Sequence, residues 1–81
     1  MTDQQAMRRI AKNLRRFREA AGLSMSALAR DIGDYPNAIE RIEKARNMPG
    51  VGLMTRIAER LDKTLDDFLE EEPAKILSRT A

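Results

Sequence analysis

Five carboxylates crowd the end of the chain, Asp66, Asp67, Glu70, Glu71 and Glu72, as they would around a cation. Their spacing argues against a metal site. Successive and i+4 positions beside further glutamates describe the solvent face of a helix. Histidine and cysteine are both absent, which excludes zinc sites built on those ligands, Cys–His and Ser–His–Asp catalysis, and any disulfide framework. Gly50-x-Gly52 lacks the preceding strand that would give it meaning as a phosphate cradle, and no nucleophile lies paired with a base. The chain is therefore expected to be no enzyme and to carry no cofactor. What remains is cationic. Residues 1–46 hold ten Lys and Arg against six Asp and Glu, while residues 47–81 hold five against seven. A basic part followed by an acidic end hints at an anionic partner for the first.

The elements that must position these charges are helices. Ala, Leu, Arg, Lys and Glu supply 41 of the 81 residues, whereas valine occurs once and aromatics three times. That is helix-forming usage and poor strand usage. Met7, Ile10, Leu14, Phe17 and Ala21 follow helical spacing, with Arg8, Arg9, Lys12, Arg15 and Arg16 opposite, and Gly22 ends this first helix. Ser24 caps a second helix with Leu28, Ala29 and Ile32 inside, stopped by Gly33. Pro36 opens a third that carries Ile39 and Ile42 and runs to about Ala45. Residues 46–52 read as a loop. Met54, Ile57, Ala58 and Leu61 mark a fourth helix. Thr64 and Asp67 form a capping box for a short fifth with Leu65, Phe68 and Leu69 on its apolar side, ended by Pro73.

An all-α domain over 1–72 with a short tail at 73–81 is the expectation. No apolar run reaches the ~18 residues of a membrane span, and no N-terminal signal pattern is present. The chain thus reads as a soluble protein of a reducing compartment. A domain this small buries only about 60% of its unfolded surface. With no disulfide or metal to assist, a partner subunit is the supplement left open.

Residues 24–43 make sense as two helices crossing steeply on a tight turn, with Ala29 allowing close approach and Gly33 supplying a positive φ. On these features alone an ordinary helical hairpin fits equally well. The order and spacing of a longer series decides more. Arg18-x-x-x-Gly22-Leu23-Ser24 is followed by Leu28-Ala29-x-x-Ile32-Gly33 and Ile39-x-x-Ile42-Glu43. Asn47-x-Pro49, Ile57-Ala58-x-x-Leu61 and Leu65-Asp66-x-Phe68-Leu69 complete it. This series, from about Ile10 to Leu69, resembles the phage-repressor and Cro-type helix-turn-helix regulators, the XRE-like family.

The resemblance implies a compact five-helix domain whose second helix crosses the DNA backbone and whose third lies in the major groove. It places base contacts on Tyr35, Asn37 and Arg41 at a recognition segment that includes Pro36. Asn37 suits an adenine edge and Arg41 a guanine edge or a phosphate. Phosphate contacts fall to Ser24 and Ser26 on one side and to Lys44, Arg46 and Asn47 on the other. Arg18 and Glu43 are expected to form a structural ion pair fixing the third helix. Three departures bear on readout: Met25 stands where a glutamine commonly touches phosphate, Asp34 replaces an apolar turn residue, and Pro36 removes a donor at the helix tip.

The function implied is a sequence-specific regulator, a repressor, bound to double-stranded DNA at a pseudo-palindromic operator as a homodimer, in the cytoplasm at the nucleoid. Its dimer interface is expected around Val51, Phe68 and Leu69, with Ile76 and Leu77. The alternative is an antitoxin or adaptor that uses the same fold to hold a protein partner, a toxin, and to regulate its own promoter. The short tail after Pro73 leaves little room for wrapping a toxin.

Overall fold

The computed structural model describes residues 1–71. They form five helices in chain order: α1 (Asp3–Ala20), α2 (Met25–Ile32), α3 (Pro36–Glu43), α4 (Val51–Leu61) and α5 (Leu65–Leu69). No strand occurs among the described residues, so the all-α expectation holds. Helix α1 begins a turn earlier than its apolar stripe suggests. Thr2 and Gln5 form a reciprocal capping box that satisfies the first amides. Ser24 caps α2 through its hydroxyl, and Thr64 with Asp67 caps α5, both as the sequence indicates.

Four of the helices end in the same way. After α1, α2, α3 and α4 one residue turns left-handed, and the N–H beyond it reaches back to a carbonyl five residues earlier. Gly22 and Gly33 take that conformation without strain, with φ of 72° and 74°. Ala45 and Asp62 take it with a side chain, at φ of 54° and 56°. The third helix therefore stops at Glu43, short of the Ala45 expected from its pattern, because Ala45 is the reversing residue itself. The loop after it keeps the expected length but lies two residues earlier, at 44–50. Gly50 is the N-cap of α4, so Val51 and Gly52 belong to the helix.

Helix α1 is the spine. It packs on α3 and α5, α2 packs on α3 and α4, and α4 closes on α5. One core runs through all five, including Leu14, Phe17, Leu28, Ala29, Ile39, Ile57 and Phe68. The rings of Phe17 and Phe68 meet edge to face at 5.2 Å between centroids. Phe68 was expected at a dimer surface, and there the structure corrects the sequence reading. Its ring is 1% exposed and seated on Phe17, so it has nothing to offer a second chain. Of the other expected interface residues, Val51 is exposed and Leu69 is half-buried against the core. Ile76 and Leu77, and with them Pro73, lie outside the described residues. None of the helices among the described residues is long and apolar enough to cross a membrane.

Candidate nucleic-acid interface

Helix α3 carries the candidate site. Its eight residues split by face: Ile39 and Ile42 are buried, whereas Asn37, Arg41 and, at its C-cap, Lys44 are exposed. Positions 37, 41 and 44 are spaced i, i+4 and i+7, which places them on one stripe of the helix. That stripe offers an amide, a guanidinium and an ammonium in a row. Only weak contacts occupy them. Arg41 Nε donates to the carbonyl of Asn37 at 3.4 Å, and Lys44 Nζ lies 3.7 Å from Glu40. Exposed pairs of that kind contribute about 0–1 kcal/mol, so both cations can leave them for a phosphate or a base.

The N-terminal end of α3 is equally open. Tyr35 is its N-cap, 76% exposed, and no side chain caps the helix. Pro36 sits in the first turn, where its missing N–H removes nothing that an intrahelical bond needs. Asp34, in the turn before it, does not cap the helix. Its Oδ1 instead accepts the N–H of Tyr35 at 2.8 Å, one residue outside the helix.

The flanks are polar and exposed. Ser24, Ser26, Arg46 and Asn47 all face solvent. The Ser24 Oγ accepts the N–H of Ala27 at 3.0 Å, and the hydroxyl proton remains to be donated. Met25 is only partly exposed and packs against the core, so its departure from the family pattern contributes burial. A shallow cleft of about 230 Å³ separates α3 from the following loop, lined in part by Arg41, Asn47, Met48 and Leu53.

What fixes α3 is a buried ion pair. Arg18 on α1 donates from Nε to Glu43 Oε2 at 2.6 Å and from Nη2 to Oε1 at 3.0 Å. Its Nη1 donates to the carbonyl of Leu23 at 2.8 Å. The fork-on-fork geometry, with the Glu43 side chain 4% exposed, is what a desolvated charge pair needs to be stable. The hydrogen bond to Glu43 holds the Arg18 guanidinium above its ordinary pKa against the opposing effect of burial. The pair expected from the sequence thus joins α1 to the last turn of α3.

Two further groups escaped sequence reading. Asn13 is 1% exposed, and its Nδ2 donates to the carbonyls of Phe68 at 2.7 Å and Glu70 at 2.9 Å. Its Oδ1 accepts from Arg16 at 2.8 Å, and Arg9 donates to the carbonyl of Leu69 at 3.1 Å. Part of the basic face of α1 is therefore committed to the end of α5. On the opposite side, Arg56 donates to the carbonyl of Ile32 at 3.0 Å, and Arg60 pairs with Asp31 at 2.9 Å. Apolar spacing carries no trace of either set.

Comparison with known proteins agrees with this geometry. The family model described as Helix-turn-helix, HTH_3, matches residues 14–68. An uncharacterized HTH-type transcriptional regulator of Rickettsia conorii is 39% identical over 61 residues, covering 75% of this chain and 49% of that protein. Among solved structures, an HTH_3 family transcriptional regulator from Vibrio cholerae superposes with a TM-score of 0.78 at 27% identity, over 95% of this chain and 43% of its own. A hypothetical transcription factor from Neisseria, at 22% identity, shares the fold with a TM-score of 0.80 over 95% of this chain and 88% of that one. The chain spans about half the length of the curated relative it matches. It belongs to the HTH_3 helix-turn-helix family, the XRE-like regulators.

Proposed function

We propose that the chain is a DNA-binding transcriptional regulator that represses by occupying a pseudo-palindromic operator as a homodimer. The observation that carries this reading is the face of α3: an exposed row of Asn37, Arg41 and Lys44 backed by buried Ile39 and Ile42. In this reading Tyr35, Asn37 and Arg41 contact bases. Ser24 and Ser26 hold one phosphate backbone, and Lys44, Arg46 and Asn47 the other.

Two copies are needed because one short helix reads too few base pairs to be selective. Two-fold symmetry doubles the readout and sets half-sites about 34 Å apart or a multiple of that. With Phe68 sequestered, the dimer surface proposed is the exposed end of α4, where Val51 is 76% and nearby Met48 44% exposed, together with Leu69. Repression then follows from occupancy alone, since a dimer seated across a promoter excludes polymerase.

A salt titration on random and selected duplexes tests the reading. Six or so phosphate contacts give a log–log slope near −5, at about −0.9 per neutralised phosphate. A slope near zero on every duplex overturns it. Within a binding series, Asn37→Ala relaxes preference at one base position, while Lys44→Ala weakens all sequences alike.

A further inference from the structure

Arg56 lies on α4, outside every surface assigned above to DNA, yet it reaches the turn that introduces α3. Its Nη1 donates to the carbonyl of Ile32 at the end of α2, 3.0 Å away. Its Nη2 stands 3.7 Å from Asp34 Oδ2. The other oxygen of that carboxylate accepts the N–H of Tyr35 at 2.8 Å, while the Asp34 N–H donates to the carbonyl of Ala29 at 2.8 Å. One carboxylate thus couples the first residue of the recognition segment to a cation on another helix. One turn further along α4, Arg60 meets Asp31 at 2.9 Å, so α4 grips α2 and the turn on two rungs.

Asp34 poses an electrostatic problem. It fixes the N–H of Tyr35 at the mouth of α3, where no side chain caps the helix. Its carboxylate is also the one acidic group between Gly33 and Ile39, the stretch that would approach a polyanion. A negative charge there both orders the turn and repels phosphate. Arg56 offsets the charge from behind, and half of its side chain remains in solvent.

We propose that Arg56 is a positioning residue for DNA recognition, a counter-charge that allows Asp34 to organise the turn beside the phosphate backbone. This rests on the DNA-binding reading. Arg56 acts through Asp34 and touches no nucleic acid.

The test is a double-mutant cycle on one selected duplex, measured at low and moderate salt, with thermal melts of every variant. D34N keeps an oxygen to accept the Tyr35 N–H and loses only the charge. R56M is expected to weaken binding about fivefold at low salt, with the gap narrowing as salt screens the partly exposed carboxylate. D34N binds at least as tightly as the wild-type chain. The double variant D34N/R56M binds like D34N, because with the carboxylate gone Arg56 has nothing left to offset. R56K, which keeps the charge and loses the fork, retains most of the affinity and keeps the proposal testable should R56M fold poorly. A deficit that persists in the double variant overturns the proposal, since Arg56 would then contact phosphate directly or serve the fold alone. Wild-type affinity in R56M also overturns it while leaving the DNA-binding reading intact. Failure of the wild-type chain to bind any duplex overturns both.

Discussion

Helix α1 holds two other helices by different chemistry. At α3 the grip is ionic and runs side chain to side chain, Arg18 against Glu43. At α5 it runs mainly side chain to main chain, Asn13 against the carbonyls of Phe68 and Glu70 and Arg9 against that of Leu69. The difference teaches what each helix is for. An ion pair fixes one end of α3 in position and rotation, which suits a helix whose outer face must keep a register. A main-chain grip is indifferent to the side chains of α5 and only keeps that helix shut over the core.

The largest expected effect breaks the ionic grip. Glu43→Ala leaves Arg18 charged and desolvated, and loss of one partner of a buried pair costs about 3–5 kcal/mol. For a domain whose stability falls in the usual range of about 5–15 kcal/mol, urea denaturation will show a much lower midpoint. The double variant R18M/E43L recovers most of the loss, because an apolar pair carries no unpaid charge. A Glu43→Ala protein as stable as the wild type would remove the ion pair from any role in holding α3.

Asn13→Ala comes next. It orphans two carbonyls at the end of α5 and is expected to cost about 1–3 kcal/mol. Hydrogen exchange distinguishes the two grips: the amides of α5 lose protection in this variant, while those of α3 keep theirs. Equal loss in both helices would mean that α1 holds them as one unit.

The smallest effect is on pH. The main-chain N–H of Thr64 holds the Asp67 carboxyl below its ordinary value, aided by the Thr64 hydroxyl and by Lys63. A carboxyl with a lowered folded pKa stabilises the fold above its unfolded value near 4, and that help disappears as pH falls through the folded value. The capping box of α5 should therefore loosen only as pH falls below the ordinary carboxyl range. Exchange at α5 in Asp67→Asn will be raised at neutral pH and will change less on acidification than in the wild type.

Legibility in the sequence followed the same division. The helices could be read because caps and apolar stripes are local patterns: Ser24, Gly33, Pro36 and the Thr64–Asp67 box all stand where they were expected. Arg18 and Glu43 were legible because both partners announce themselves as charges at a spacing the family resemblance supplies. Asn13 was not, because its partners are carbonyls, which every residue has. Phe68 was misplaced for a related reason. The apolar side of α5 could be read, but not whether it packs on its own chain or on a second copy, and only the meeting with Phe17 decides that. Asp34 read as an anomaly in the turn, and its partner Arg56 lies 22 positions later on another helix.

The clamp at Asn13 also bears on the order in which the domain assembles. The contact between Arg18 and Glu43 closes 25 residues of chain, and the one between Asn13 and Phe68 closes 55. A growing chain can thus bring α1, α2 and α3 together while α5, the last of the five helices, is still within the ribosome. Until then the face of α1 around Asn13 and Phe17 waits open, with a polar group and an aromatic ring both unmatched. Roughly doubling the loop adds only about 0.6 kcal/mol to the entropy of closure. Arrival of the segment, more than the search for its place, therefore sets when the core is sealed.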